Sequence, residues 1–381
     1  MTQVQKDIDL EVFLDSVFVM SSSHSTKASY RGGINKFQKF LEEKYNLTEA
    51  DLVHKVKNGD VDVYRVLSEF VVNLSKSGYS PKSLRVWLPA VKGYLRYVGL
   101  EIYSEKFKSL VRMPRVITTR EEGLTKEMIV RLLRNSPPKL QTAILVAVSS
   151  GMRLGELVQF RISDVDFESN PTRIRIRAHT SKGRQAREAF LTTEATKALK
   201  DYLERFFGWK EGQTNGHLKD TTIFGRTSVV CTVPRKSEEQ LRVTSAAIAE
   251  NVLQKTLEHT LEKIPDLNVK GENGRKIIHF HAFRKYFRTV VGNEVGRDFA
   301  EALMGHRFYL DTYYNLPADE RRKLYLKAES RLTISDFTMV EKNLTEISER
   351  QKILEEKLAR IELYAQEKGI PVPSWIPLSK S

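Results

Sequence analysis

Residues 281–316 read HAFRKYFRTVVGNEVGRDFAEALMGHRFYLDTYYNL, and much of the chemistry open to this chain is concentrated there. His281 and Arg284 stand three apart, so on a helix they share one face. Phe283, Phe287, Val290 and Val291 recur at helical spacing and would bury the neighbouring face. A second helix is expected from about Phe299 to Met304, ended by Gly305. His306 follows directly, and Tyr313 and Tyr314 come soon after. Arg offers a planar fork of donors for phosphate oxygens. His moves a proton near neutral pH. Tyr is a covalent nucleophile once its phenol is activated. Residues of these types, in this order, suit a site that holds a phosphate and attacks it. Each also has a plainer use: His-x-x-Arg on a helix surface or cap, Gly-His as a helix end, paired tyrosines as half-buried packing.

Two upstream stretches carry matching chemistry. In SSGMRLGELVQFRISDVDF, Gly151 should end a buried helix, Leu140–Val148, and Arg153 sits in the turn before a helix opened by Glu156 and Leu157. An Arg between two packed helices is held more rigidly than a surface one. Its local alternative is pairing with Glu156 or Asp164. Residues 172–191, TRIRIRAHTSKGRQAREAFL, alternate at first, with Ile174 and Ile176 facing one way and Arg173, Arg175 and Arg177 the other. The pattern predicts a β-hairpin with Lys182 near its tip and a return strand Glu188–Leu191. Between Asn170 and Arg187 there is no acidic residue, while six are Lys or Arg. Such a strand repels itself unless an anion lies nearby, so Arg173, Arg175, Arg177, Arg184 and Arg187 are candidates for phosphate contact.

The whole chain fits this bias. Lys plus Arg outnumber Asp plus Glu by 62 to 48, a net charge of +14 over 381 residues. That balance suits a polyanion partner, above all nucleic acid. The length allows two cores. The single cysteine, Cys231, can form no internal disulfide and no Cys-based zinc site. No run approaches 18 apolar residues, so no membrane span is expected. The N-terminus, MTQVQKDIDLEVF, lacks an apolar signal core, and a cytoplasmic, nucleoid-associated protein is expected.

Before Leu124 the pattern is helical and basic. Residues 1–23 contain an amphipathic segment, Ile8–Val19, closed by three serines. Helices follow through Tyr30, Ile34, Phe37, Phe40 and Leu41, then over Asp60–Lys76, then from a Ser80 cap and Pro81. The last carries Arg85 and Lys92 between its apolar positions, with Pro89 as an expected interruption. These cations either meet DNA or are simply solvated. We read residues 24–110 as a helical domain, 111–122 as a linker with Pro114, and 123–334 as a second domain. In that domain helices are expected from a Thr125 cap, over Thr193–Phe207, Thr244–Ile264 and around Tyr325, with an edge strand at Thr222–Phe224. From Val340 to Ala365 a 3–4 repeat suggests a seam, with seven acidic against six basic residues over 341–368. This helix (335–369) would meet protein, either a second copy or its own chain. The tail 370–381 is broken by prolines.

Taken together these residues resemble the tyrosine recombinases, the phage-integrase superfamily, and the run from LMGH to ESRLTI looks most like archaeal members. The resemblance implies a mainly α fold with a small antiparallel sheet, a helical core-binding domain and an α+β catalytic domain. It places the family's two arginines on Arg153 and Arg284, the hairpin lysine on Lys182, the two histidines on His281 and His306, and the nucleophile on Tyr314. In many members that tyrosine lies nine residues after the second histidine. Here Tyr314 lies eight after it, so Tyr313 stays open as the alternative and Tyr309 as a remote third. The implied reaction is strand cleavage through a 3′-phosphotyrosine with no cofactor or metal, on double-stranded DNA, by a tetramer on two sites. The alternatives are a type IB topoisomerase-like enzyme and a DNA-binding protein with a decayed site. Glu156 and Asp164 read as orienting groups.

Overall fold

In a computed structural model the chain divides into two compact units, residues 1–119 and 120–381. The described residues are 3–116, 122–181, 183–212, 221–225, 238–272, 274–305, 316–335, 351–357 and 359–360. Among them, no helix is long and apolar enough to cross a membrane.

The first unit is helical: α1 (Gln3–Ser21), α2 (His24–Tyr45), α3 (Glu49–Lys57), α4 (Val63–Lys76), α5 (Pro81–Tyr97) and α6 (Ser104–Leu110). Short polar residues start these helices as their chemistry demands. Ser23, Thr48, Asp62 and Ser80 each accept a first-turn backbone N–H, and Pro81 occupies the first helical position of α5. The core joins Phe37 and Leu41 of α2, Leu67 and Phe70 of α4, and Leu84 and Leu95 of α5. Most of the stretch 1–23, set apart in the sequence, is a helix of this unit, Gln3–Ser21: Leu10, Phe13, Leu14 and Val17 pack on Ile34 and Tyr94. Helix α5 runs through Pro89 without a break. Buried Leu84, Leu88, Val91 and Leu95 outweigh the one backbone bond a proline removes. Two helices, α3 and α6, were not expected; both are short, and α6 buries no residue that would mark its period.

The second unit is built on α8. Its helices are α7 (Lys126–Arg134), α8 (Pro138–Ser150), α9 (Leu154–Leu157), α10 (Thr193–Phe207), α11 (Glu238–Glu262), α12 (Phe280–Glu294), α13 (Arg297–Met304) and α14 (Ala318–Leu332). Between α9 and α10 lie β1 (Val165–Asp166), β2 (Thr172–Ile176) and β3 (Arg187–Leu191), antiparallel in the order β1-β2-β3. The register sets Thr172 opposite Leu191, Ile174 opposite Ala189, and Ile176 opposite Arg187. Helix α8 is apolar almost all round and largely buried, with Leu140, Ile144 and Val148 in a core shared with Leu199 and Phe283. A second core gathers Phe190, Phe287, Phe299, Leu303 and Tyr325. The Tyr325 hydroxyl donates to the Ser149 carbonyl at 2.7 Å, tying α14 to the end of α8. The expected edge strand at Thr222–Phe224 is not one. Among the described residues it makes one isolated bridge, Arg161 to Thr222, while Ile223 and Phe224 are buried and the Phe224 ring packs against Phe160 and Tyr202. Side-chain burial, not sheet pairing, explains its apolar character.

Candidate active site

The site is assembled where helices end. Helix α8 stops at Gly151, whose φ of +62° is left-handed, and the chain turns through Met152 into Arg153. Arg153 precedes α9 in extended geometry. Its backbone N–H donates to Glu156 Oε2 at 2.9 Å and its Nη1 to Glu156 Oε1 at 3.1 Å. The local pairing open to Arg153 is thus realised, and it leaves the side chain a quarter exposed, at 26%. Glu156 itself is buried. Burial alone would push its carboxyl up, but the charge and hydrogen bonds of Arg187, then the backbone and charge of Arg153, hold it below the ordinary carboxylate value.

Helix α12 contributes His281 and Arg284 from its first turns. Arg284 is only 1% exposed. Its Nη1 donates to the Gly151 carbonyl and its Nη2 to the Met304 carbonyl, the latter at 2.7 Å. Both acceptors stand at helix C-termini, α8 and α13, where a cation also meets the negative ends of the helix dipoles. Burial and then the charge of Arg153 draw its pKa down to about 9, against the opposing pull of Glu156, so it stays cationic at neutral pH. His281 lies exposed one turn earlier. Partial desolvation, then Lys285, His279, Arg284 and Arg153, hold its imidazole below the ordinary value. A neutral imidazole can accept a proton.

The sheet adds a third wall. Gly305 ends α13 with φ +66°, and a Cβ there would lie 2.8 Å from Arg187 Cδ. On the hairpin, a Cβ at Gly183 would lie 4.0 Å from the Gly305 carbonyl oxygen, so the hairpin tip and the end of α13 adjoin. Beside them is a cavity of about 790 Å³, bordered by Arg175, Glu188, Gly305, Leu316 and Arg321.

The structure therefore brings Arg153, His281 and Arg284 together. Lys182, His306, Tyr309, Tyr313 and Tyr314 lie outside the described residues, as does most of the 340–365 seam. Three of the cations read as candidates for phosphate contact have carboxylate partners within the protein. Arg173 donates to Asp166 at 2.9 Å and Glu188 at 3.1 Å, and Arg177 to Asp164 at 2.7 Å. Arg187, with a side chain 9% exposed, forks onto Glu156 at 2.7 and 3.2 Å. The carboxylates that meet these three arginines come from β1, β3, α9 and the turn before β1. Arg175 and Arg184 are exposed. In the first unit Arg85 is exposed, whereas Lys92 lies over the Phe107 ring at 4.0 Å. Sequence reasoning missed the structural use of Arg187. The signal was its place opposite Ile176 at the start of a buried strand.

Comparison with known proteins agrees with this architecture. The model of the phage integrase family matches residues 122–314, a stretch that contains Arg153, Lys182, His281, Arg284, His306 and Tyr314. The chain belongs to the phage integrase family. A tyrosine recombinase XerA of Pyrococcus horikoshii is 30% identical over 170 residues, which cover 44% of this chain and 51% of that relative. One of Pyrococcus furiosus is 25% identical over 204 residues, 53% of this chain and 63% of the relative. The chain thus spans between about half and two-thirds of the length of these relatives. A lambda integrase (75–356) dimer bound to a COC′ core site superposes with a TM-score of 0.51 at 15% identity, over 83% of this chain and 98% of that one. The fold is that of lambda integrase, mostly helical with a small antiparallel sheet.

Proposed function

We propose that this chain is a site-specific DNA recombinase that cuts and rejoins strands through a 3′-phosphotyrosine. The observation that carries the reading is the meeting of Arg153, His281 and Arg284 at the ends of α8 and α13, inside the stretch matched by the family model. In this mechanism Tyr314 attacks the scissile phosphate, with Tyr313 as the alternative. The P–O bond to the 5′-oxygen breaks as the tyrosine–phosphate bond forms. His281 accepts the phenol proton and Lys182 protonates the departing 5′-oxygen. General acid–base help of this kind typically contributes about 10²–10⁴ in rate. Arg153 and Arg284 neutralise the charge gathering on the phosphate, and losing one such donor typically costs about 10²–10³. The two carbonyl bonds fix the orientation of the Arg284 fork at this site. His306 donates to a non-bridging oxygen. Ligation reverses the attack with a 5′-hydroxyl from a partner strand, and the phosphotyrosine conserves the bond energy.

The substrate on this reading is double-stranded DNA, with protomers associating on two sites as a tetramer, in the nucleoid. The 340–365 seam would tie protomers together; deleting residues 335–381 should weaken multimers on DNA, and unchanged assembly would remove that role. The decisive assay is covalent trapping on nicked duplexes with wild type, Tyr314→Phe and Tyr313→Phe. An SDS-stable adduct lost only in Tyr314→Phe supports both mechanism and nucleophile. Loss only in Tyr313→Phe moves the nucleophile by one residue. Tight, salt-sensitive binding without any adduct points to a binding protein. Exchange between two marked duplexes separates a recombinase from a topoisomerase.

A further inference from the structure

We propose that Arg187 is a positioning residue for strand cleavage, setting Arg153 through Glu156 and, with the same guanidinium, the end of α13 that leads into His306. The proposal rests on the recombinase reading above.

All three guanidinium nitrogens of Arg187 are committed inside the protein. Nη1 and Nη2 fork onto Glu156 Oε1 and Oε2 at 3.2 and 2.7 Å, and Nε donates to the Leu303 carbonyl at 2.9 Å. The same two carboxylate oxygens hold Arg153, one by its side chain and one by its backbone N–H. Glu156 is thus a plate between two arginines, one buried and one facing out. The Leu303 carbonyl stands beside that of Met304, which Arg284 holds, so two buried cations grip consecutive carbonyls of the last turn of α13. The chain then makes its left-handed turn at Gly305, against the aliphatic part of Arg187. A bidentate fork fixes orientation as well as distance. One side chain on β3 therefore couples the turn that carries Arg153 to the helix end that precedes His306.

The electrostatics sharpen the test. Burial pushes the Glu156 carboxyl up, and the charge of Arg187 is the largest influence pulling it down. Among the described residues, Arg153 on its own turn and Arg284 from α12 are further charged groups around it. Glu250 of α11 approaches the adjacent Gly155, and burial holds its own carboxyl above the ordinary value. Without Arg187, burial should dominate, and Glu156 should take up a proton at higher pH. A protonated Glu156 offers only one acceptor oxygen where Arg153 now uses two.

The experiment is single-turnover adduct formation on nicked duplexes across pH, with duplex affinity measured alongside. The variants are Arg187→Met, Arg187→Lys and the double variant Arg187→Met with Glu156→Gln. Arg187→Met should bind duplex within about threefold of wild type while its cleavage rate falls by about 10²-fold, the scale of a misplaced catalytic group. The ratio to wild type should worsen as pH falls. Arg187→Lys should recover part of the rate. The double variant removes both members of the Arg187–Glu156 pair, so it leaves no unpaired carboxylate at this position and should fold even if the single one does not. Its rate should stay low, with a ratio to wild type independent of pH. A folded double variant cleaving within threefold of wild type overturns the proposal. So does a loss of duplex affinity that matches the loss of rate, which would make Arg187 a phosphate contact. Carboxyl ¹³C titration of Glu156 reads the network without activity: an unshifted midpoint in Arg187→Met also overturns it. If wild type itself forms no adduct on any duplex, the recombinase reading fails, and the catalytic use of Arg187 fails with it. Wild-type adduct with an unaffected variant sinks Arg187 alone.

Discussion

Replacing Gly151 with alanine should damage both stability and the site, and its cost can be worked from the geometry. Gly151 has φ +62°, a left-handed conformation that costs an L-residue about 1–2 kcal/mol. A Cβ there would also lie 2.8 Å from Cγ and Cε1 of Phe287, a ring that is 0% exposed and packed on Val291, Phe299 and Tyr325. Forcing a methyl into such a core typically costs about 1–3 kcal/mol more. The sum is about 2–5 kcal/mol. Gly208 supplies the internal control. It ends α10 with nearly the same φ, +63°, yet nothing lies within 4 Å of its Cβ position. Gly208→Ala should therefore cost only the conformational part, about 1–2 kcal/mol. Hydrogen exchange of α8, α10 and α12 amides reads both variants within the same unit. Phe287 follows Arg284 by three residues on α12, and the Gly151 carbonyl is an acceptor of Arg284. Adduct formation by Gly151→Ala should fall further than its folded fraction explains. Equal losses of protection in the two variants would refute the packing argument. A fully active Gly151→Ala would refute the link between this turn and Arg284.

The remaining predictions are briefer. Because His281 is held below its ordinary pKa, it stays neutral to lower pH than a free imidazole, and cleavage should persist there until the ring protonates. Lys285→Ala removes a neighbouring cation, so the imidazolium is favoured and the acid limb of the rate profile should move to higher pH; a limb that does not move argues against His281 as the base. Arg175→Ala should lower the salt slope of duplex affinity by about one, while Arg173→Ala, already paired with Asp166 and Glu188, should leave it unchanged; the reverse order would show that those pairs open on DNA. Tyr325→Phe leaves the Ser149 carbonyl without its buried donor and should cost about 1–2 kcal/mol in the exchange of α8 amides, with no loss meaning that water replaces the hydroxyl.

Which features were legible follows from the range of the forces that make them. Helix α10 has the bounds its sequence implies, Thr193–Phe207, because the Thr192 cap and the left-handed Gly208 are decided within one turn. The ends of α8 and α13 at Gly151 and Gly305 are local in the same way, and so is the Ser80–Pro81 start of α5. The alternation of Ile174 and Ile176 gave the buried face of β2 by simple pleat geometry. The types and order of the candidate residues Arg153, His281 and Arg284 are equally a matter of sequence, since they depend on side-chain chemistry alone.

What each cation faces was decided only by the tertiary structure. No acid lies between Asn170 and Arg187 in the chain, yet antiparallel pairing sets Arg173 beside Asp166 and Glu188, and packing sets Arg187 against Glu156, 31 residues away. Arg284 finds its acceptors 133 and 20 residues away, at carbonyls that carry no sequence signal at all. Ionic and hydrogen-bonding partners are chosen by distance in space and by burial, and both arise only when the strands and helix ends have been brought together.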